Sequence, residues 1–305
     1  MPGIVLRVYS DFIDVLTDEG ARWQCKVTGR LKRRRRRTTL IAAGDRVQIK
    51  PVDEARREGL ITDILPRKSA LSRRRPGAVS AVEDVILANP DEIMVVFAAA
   101  EPEPDLFLLD RFLVAAESSE IPSFIVINKI DLTGEDHARA IFGLYEDVGY
   151  PVFYVSAKEG VGVEALRKHL KDHITVVAGP SGAGKSSLIN RLLPGLNLRV
   201  GALMRIGKGK HTTRWAQLYP LPSGGFIADT PGLRELGLWD IRPNELSDYF
   251  PEIRALAPHC RFSDCTHINE PGCAVREAVE RGDIHPHRWQ SYLQLFEEAS
   301  ETLST

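Results

Sequence analysis

The chain has 305 residues, 43% of them hydrophobic and 27% charged, with a formal net charge of −1. That length lets the chain bury a sizeable core and suits two or three folded domains. No apolar run reaches the length of a membrane span, residues 93–100 being among the longest, and residues 1–20 hold four acidic residues and no apolar core. Neither a membrane helix nor a signal peptide is expected, which makes the cytoplasm the default location.

The near-neutral total hides an asymmetry. Residues 1–75 hold 19 Lys and Arg against 9 Asp and Glu, whereas the remaining 230 residues hold 21 against 32. A basic N-terminal part on an acidic remainder suggests a module for a polyanion, RNA or DNA, against the alternative of a solvated basic face. Residues 1–65 read as five short strands, at 3–9, 12–16, 22–27, 46–49 and 60–64, the pattern of a small OB-fold barrel. Between the third and fourth lie Lys32, Arg33, Arg34, Arg35, Arg36 and Arg37. Six like charges repel one another, so the run is expected as a loop whose contacts go to phosphates. Tyr9, Phe12 and Trp23 are candidates for base stacking, although at least two of them are expected in the barrel core.

Residues 66–86 read as a linker because of Pro66 and the Arg73-Arg74-Arg75-Pro76-Gly77 run. Strands are then expected at 93–99, 124–127, 152–155, 174–178 and 225–228, and helices at 106–118, 135–148 and 163–171. That alternation predicts a parallel α/β sheet. Residues 239–305 are rich in His, Pro, Cys and Trp and turn helical over 274–281 and from 286 onward. The predicted division is a barrel at 1–66, an α/β domain at 67–238 and a helical metal-binding domain at 239–305.

Gly179-Pro180-Ser181-Gly182-Ala183-Gly184-Lys185-Ser186 fits the phosphate-binding loop, placed between a strand and a helix. Gly179, Gly182 and Gly184 let backbone N–H groups turn inward around a phosphate, and the helix N-terminus adds positive potential. Lys185 would reach the β- and γ-phosphates, the Ser186 hydroxyl would hold Mg²⁺, and Ser187 lies beside them. This loop alone suits a nucleotide kinase as well as a GTPase. Asn128-Lys129-Ile130-Asp131 decides for guanine, because the Asp131 carboxylate can accept from both the ring N–H and the exocyclic amine. The Lys129 stem would cover the base, and Asn128 would tie the loop. Ser156-Ala157-Lys158 would meet the guanine carbonyl through its backbone. Asp229-Thr230-Pro231-Gly232 would hold Mg²⁺ through Asp229 and sense the γ-phosphate through Gly232. Thr212 or Thr213, with Thr213 favoured, would complete the Mg²⁺ shell from the Gly207–Thr213 stretch.

The order of these motifs is unusual. The base motifs precede the phosphate motifs, as they would if the chain were cut and rejoined at another loop, a circular permutation. Leu233 also stands where many GTPases carry the glutamine that orients water. Intrinsic hydrolysis should be slow, with the missing group supplied by His211 in the chain or by a partner. Lys185 and His211 are the candidate catalytic residues.

Cys260, Cys265, His267 and Cys273 supply three thiols and an imidazole within 14 positions, the ligand set of a closed structural Zn²⁺ site. His259, His285 and His287 compete for the imidazole role. Cys25 stands alone and is expected as a small core residue.

Barrel, permuted GTPase order, His211-Thr212-Thr213, Asp229 to Glu235 and the Cys/His spacing together resemble the ribosome small-subunit-dependent GTPase A family of bacterial assembly factors. The resemblance covers nearly the whole chain; Pro180 and Ala183 in the phosphate loop are a minor departure. It implies GTP and GDP as ligands and hydrolysis stimulated by the small ribosomal subunit. It also implies binding of ribosomal RNA near the decoding region, late maturation of the subunit and contact with other assembly factors. The same resemblance supports His211 as the catalytic group. No apolar surface stripe argues for a dimer, so a monomer is the default. Three rivals stand beside this reading: a nucleotide kinase, disfavoured by Asn128–Asp131, an RNA-binding scaffold whose hydrolysis is incidental, and a circularly permuted GTPase acting on another RNA assembly.

Overall fold

A computed structural model describes residues 1–10, 12–32, 39–73, 84–195, 216–229 and 241–303. The chain divides into two compact units: Met1–Glu92 with Ala165–Val177 and Ile189–Pro231, and Ile93–Glu164 with Ala178–Leu188 and Gly232–Thr305.

In the first unit, β1 (Pro2–Val8), β2 (Ile13–Thr17), β3 (Arg22–Val27), β4 (Arg46–Asp53) and β5 (Glu58–Ile64) close into a barrel. The ladder runs β1-β2-β3-β5-β4 and returns to β1; β3 and β5 are parallel and the other pairs antiparallel. The short helix α1 (Gly29–Lys32) follows β3. This is the OB-like barrel expected. Alternate residues of β2 and β3 point inward, so Ile13, Val15, Trp23 and Cys25 pack with Val5, Val47, Ile49 and Ile61. Trp23 is therefore core, whereas Tyr9 and Phe12 are half-buried and stack on each other at 4.3 Å. Buried Asp45 is held by a two-pronged ion pair with Arg67, at 2.8 Å to each carboxylate oxygen.

The linker expected at 66–86 is not a plain tether. β6 (Ala70–Arg73) and β7 (Asp84–Ala88) pair antiparallel, and Leu87 bridges to Ala43 of the barrel. Asn89 Nδ2 donates to the Gly44 carbonyl at 2.9 Å. Gly44 has φ +88°, and a Cβ there would meet the Ala88 carbonyl at 1.9 Å, so only glycine fits the seam.

The second unit contributes the parallel strands β8 (Glu92–Ala98), β9 (Ser123–Asn128) and β10 (Val152–Tyr154), in the order β8-β9-β10. The continuous burial of β8 fits a strand covered on both faces. The helices between them are α2 (Leu106–Glu117), capped by the Asp105 carboxylate on the Leu108 N–H, and α3 (Glu135–Val148), stopped by Gly149 at φ 106°. α4 (Val163–His169) comes next.

β11 (Ile174–Ala178), β12 (Gln217–Pro220) and β13 (Phe226–Asp229) complete the first unit. β11 runs parallel to β13, β13 antiparallel to β12, and β12 antiparallel to β1 of the barrel. α5 (Lys185–Leu192) follows the phosphate loop.

The C-terminal part holds a 3₁₀ helix (Pro243–Tyr249), α6 (Pro251–Leu256), α7 (Ala274–Arg281) and α8 (Pro286–Leu303). Leu246, Phe250, Ile253, Val275, Tyr292 and Leu295 bury a core there together with Val114 of α2. Among the described residues no helix is long and apolar enough to cross a membrane.

Candidate nucleotide and metal sites

The phosphate loop is built on backbone conformations that only glycine adopts without strain: φ is +128° at Gly179, +83° at Gly182 and +84° at Gly184. A Cβ at Gly179 would meet the Val96 carbonyl at 2.1 Å, and one at Gly184 would meet Asn128 Nδ2 at 2.3 Å. Lys185 Nζ donates back to the carbonyls of Gly179, at 2.7 Å, and Pro180. Ser186 is buried on the first turn of α5, and Ser187 beside it is half-buried.

Asn128 is the junction of this site. Its side chain is buried at the end of β9, with Nδ2 donating to the Ala183 carbonyl at 3.0 Å. Its Oδ1 accepts from the Ala157 N–H, also at 3.0 Å. One amide thus joins the phosphate loop to the Ser156-Ala157-Lys158 loop. Ser156 Oγ donates to Asp131 Oδ1 at 2.6 Å and accepts from the Glu159 N–H, while Lys158 Nζ lies 4.0 Å from Asp131 Oδ2. This holds Asp131 by one oxygen and leaves the carboxylate in position to accept further donors. Lys129, at φ 67°, donates from Nζ to the Glu101 carbonyl.

Sequence reasoning missed the 99–105 loop, where Pro102 lies 3.1 Å from where a Cβ on Gly182 would stand and Glu101 receives Lys129. Its contacts use a backbone carbonyl and a proline ring, which leave no motif. Asp229 ends β13, beside β11, which leads into the phosphate loop. His211, Thr212, Thr213, Gly232 and Leu233 lie outside the described residues, as do Arg33 to Arg37; Lys32 closes α1.

The four predicted metal ligands come together. Their donor atoms all lie within 4.8 Å of one another. His267 Nδ1 is 3.5 Å from both Cys260 Sγ and Cys273 Sγ, and those two sulfurs are 3.9 Å apart. A tetrahedron with metal–sulfur bonds of about 2.3 Å and a metal–nitrogen bond of about 2.0 Å has edges of roughly 3.5 to 3.8 Å, so the donor set fits such an ion. Burial lowers the His267 pKa, favouring the neutral imidazole a ligand must be. Burial pushes the Cys265 thiol up to about 12, a charge penalty that a bound cation offsets. Cys273 also caps α7, accepting the Arg276 N–H at 3.5 Å.

The chain between His267 and Cys273 is organised by Glu270, which the sequence did not single out. Its carboxylate accepts from the N–H groups of Thr266, Ile268 and Asn269 and from the Thr266 hydroxyl. Burial opposes the charge, but these donors prevail and hold the carboxyl at about 2.

An OB-like barrel, a phosphate loop preceded in the chain by its guanine motifs, and a Cys₃His cluster define a circularly permuted P-loop GTPase with two appended modules. A model of the RsgA GTPase family matches residues 64–239. The protein of Gemmatimonas aurantiaca named Small ribosomal subunit biogenesis GTPase RsgA is 48% identical over 297 residues, covering 97% of this chain and 96% of that one. The crystal structure of YjeQ from Thermotoga maritima superposes with a TM-score of 0.79 at 39% identity, covering 98% of both chains. That of YloQ, described as a circularly permuted GTPase, gives 0.78 at 30% identity, covering 98% of this chain and 95% of the other. The chain belongs to the RsgA GTPase family. It is a GTPase, a hydrolase whose ligand is a guanine nucleotide.

Proposed function

We propose that this GTPase acts in late maturation of the small ribosomal subunit, binds its ribosomal RNA and hydrolyses GTP faster when the subunit is bound. The observation that carries the guanine reading is the Asn128 amide, which joins the phosphate loop to the loop of Ser156. The relatives that match over nearly the whole chain are named for small-subunit biogenesis, which supports the choice of partner.

In this reading residues 1–66 form the RNA-binding barrel, and Lys32 to Arg37 contact phosphates. Residues 67–238 are the permuted GTPase, and 239–305 form a Zn²⁺-held helical domain. Gly179, Gly182, Gly184, Lys185, Ser186 and Ser187 hold the phosphates, and Asn128, Lys129, Asp131 and Ser156 to Lys158 hold guanine. Ser186, Thr213 and Asp229 hold Mg²⁺, and Gly232 reads the γ-phosphate. Mg²⁺ would neutralise charge on the phosphates, whereas the Zn²⁺ would be structural, with all four positions taken by protein. His211 supplies the group that Leu233 cannot. The protein works in the cytoplasm as a monomer, alongside other assembly factors.

The test is GTP turnover with small subunits, large subunits or bulk RNA added in turn. Stimulation by small subunits alone supports the proposal. Equal stimulation by bulk RNA assigns the enzyme to another RNA assembly. Phosphate transferred to a nucleotide acceptor instead of released selects the kinase alternative.

A further inference from the structure

Three strands of the first unit set one row of side chains. Arg7 of β1 is the register partner of Gln217 of β12, and Gln217 is the register partner of Asp229 of β13. Register partners across antiparallel strands project to the same face. The row therefore begins on the barrel and ends on the aspartate of the Asp229-Thr230-Pro231-Gly232 motif.

Arg7 is engaged at both ends. Its Nη1 donates to Gln217 Oε1 at 3.1 Å. Its guanidinium lies over the Tyr9 ring, 4.6 Å from the centroid, and Tyr9 stacks on Phe12 across the β1–β2 turn. Tyr219, two positions beyond Gln217, projects to the same face. Burial raises its phenol pKa, the charge of Asp229 raises it further, and that of Arg7 lowers it, so these groups share one electrostatic neighbourhood.

Arg7 Nε is sealed from solvent and, among the described residues, has no hydrogen-bond partner. A buried donor without a partner is unfavourable. A second setting of the planar guanidinium that satisfies Nε therefore competes with this one. The β1–β2 turn of an OB barrel is also a surface on which such barrels receive nucleic acid. A base stacked on Tyr9 and Phe12 would displace the ring under the guanidinium, and the rigid fork must then move as a unit against Gln217. In the sequence, Gln217 stands four positions beyond Thr213.

We propose that Arg7 is a positioning residue that couples occupancy of the Tyr9–Phe12 turn by RNA to the setting of β12 and Asp229, and thereby to stimulated GTP hydrolysis. The inference rests on the reading of the barrel as the RNA-binding module and of the small subunit as stimulator.

The experiment uses the full chain with Arg7→Met, Gln217→Leu and the double variant, each checked for a native melting transition. Coupling of binding equilibria is reciprocal, so if RNA at the turn resets Asp229, the nucleotide held beside Asp229 is also felt at the turn. Hydrogen exchange of residues 2–17 is compared with GDP and with a non-hydrolysable GTP analogue. Turnover is measured with and without small subunits, and subunit binding is measured by co-sedimentation. In the native chain the two nucleotides should give different protection of residues 2–17. Either single variant should erase that difference and lower stimulated turnover about tenfold. Basal turnover, GDP affinity and subunit binding should stay within about twofold, and the double variant should be no worse than either single one. Unchanged exchange differences in Arg7→Met, additive losses in the double variant, or loss of subunit binding would each overturn the relay. If small subunits fail to stimulate the native chain, the proposed partner falls, and the exchange comparison still decides the role of Arg7.

Discussion

Arg288 Nη1 lies 2.6 Å from Asp110 Oδ1, and both side chains are sealed from solvent, joining α8 to α2 by a fully buried ion pair. The guanidinium also meets Glu252, at 2.6 and 3.1 Å, and lies over the Phe250 ring at 4.5 Å. Tyr145 of α3 donates to the same Asp110 oxygen at 2.8 Å. Every charge in the group has a partner, which is the condition for tolerating charges in a core.

Removing Arg288 takes from the buried Asp110 carboxylate its one permanent cation and leaves it only Tyr145 and His287. Arg288→Met should lower stability by about 3–5 kcal/mol, read as an earlier midpoint in urea unfolding. Arg288→Met combined with Asp110→Leu should recover much of that loss, because an apolar pair of similar volume often matches a buried ion pair. A double variant as unstable as the sum of both singles would contradict this.

His287 Nε2 lies 3.2 Å from Asp110 Oδ2. The hydrogen bond that His287 donates to the Asp110 carboxylate raises the His287 pKa above its usual 6.5, against the effect of burial. A raised pKa stabilises the fold at pH values below that of the unfolded chain, and the gain is lost as pH climbs through the folded value. For Asp110, burial disfavours the charge, but His287, Arg288 and Ser291 outweigh it and hold the carboxyl below its usual 3.8. Its contribution is present above the unfolded value and lost as pH falls through the lower folded one. Melting temperature should therefore peak between these limits and decline above about pH 6.5. His287→Gln should flatten that decline; an unaltered slope would exclude His287 as its source.

Glu270 offers acceptors only, and all of its neighbours in the metal loop are donors. Glu270→Gln must turn an amide NH₂ toward at least one of those N–H groups. Zn²⁺ affinity should fall about tenfold, the usual effect of disturbing groups that brace metal ligands. Competition with a chromogenic chelator measures it, and Cys265→Ser provides the comparison in which a ligand itself is removed.

Gly184→Ala would place a methyl on Asn128 Nδ2 and force alanine to φ +84°. Backbone strain of about 1–2 kcal/mol and a lost hydrogen bond of about 1 kcal/mol together predict an affinity for fluorescent GDP weaker by about 30- to 150-fold. Gly134 has the same φ and open space around it but lies outside the phosphate loop, so Gly134→Ala carries similar strain and should cost stability rather than nucleotide affinity.

His211→Ala should retain guanine nucleotide binding and lose stimulated turnover by about 10²-fold or more, the range for a positioned proton-transfer group. Stimulated turnover equal to that of the native chain would place the missing group on the partner.

Local signals carried much of this architecture. α3 was legible to the residue because Gly134 and Gly149 bracket an amphipathic run, and α7 because it starts at a cysteine and ends at Gly282. The barrel strands were legible through their alternation. β6 and β7 were not, because Arg73 to Gly77 looks like punctuation and the pairing is non-local. β12 is four residues ending in proline, with one buried aliphatic, too little for a period to emerge. The 3₁₀ helix and α6 each start on a proline at the first turn, which reads equally well as a break. Within the sites, ligand identity followed from residue type and spacing. The groups that brace those ligands did not, because Glu101 acts through its backbone and Glu270 reads as an ordinary acidic residue until its three N–H donors are seen around it.

The seam at Gly44 fixes the barrel to its neighbouring strands. Ala43, Gly44 and Asn89 fasten it to β7, and β1 fastens it to β12, so it does not hang on a single leash. A tethered module surrenders its own tumbling freedom when it docks, in addition to that of the body it hangs from. If the barrel binds RNA as proposed, barrel and β12 would dock as one piece and that loss would be taken once, so a modest footprint would suffice for a useful residence time.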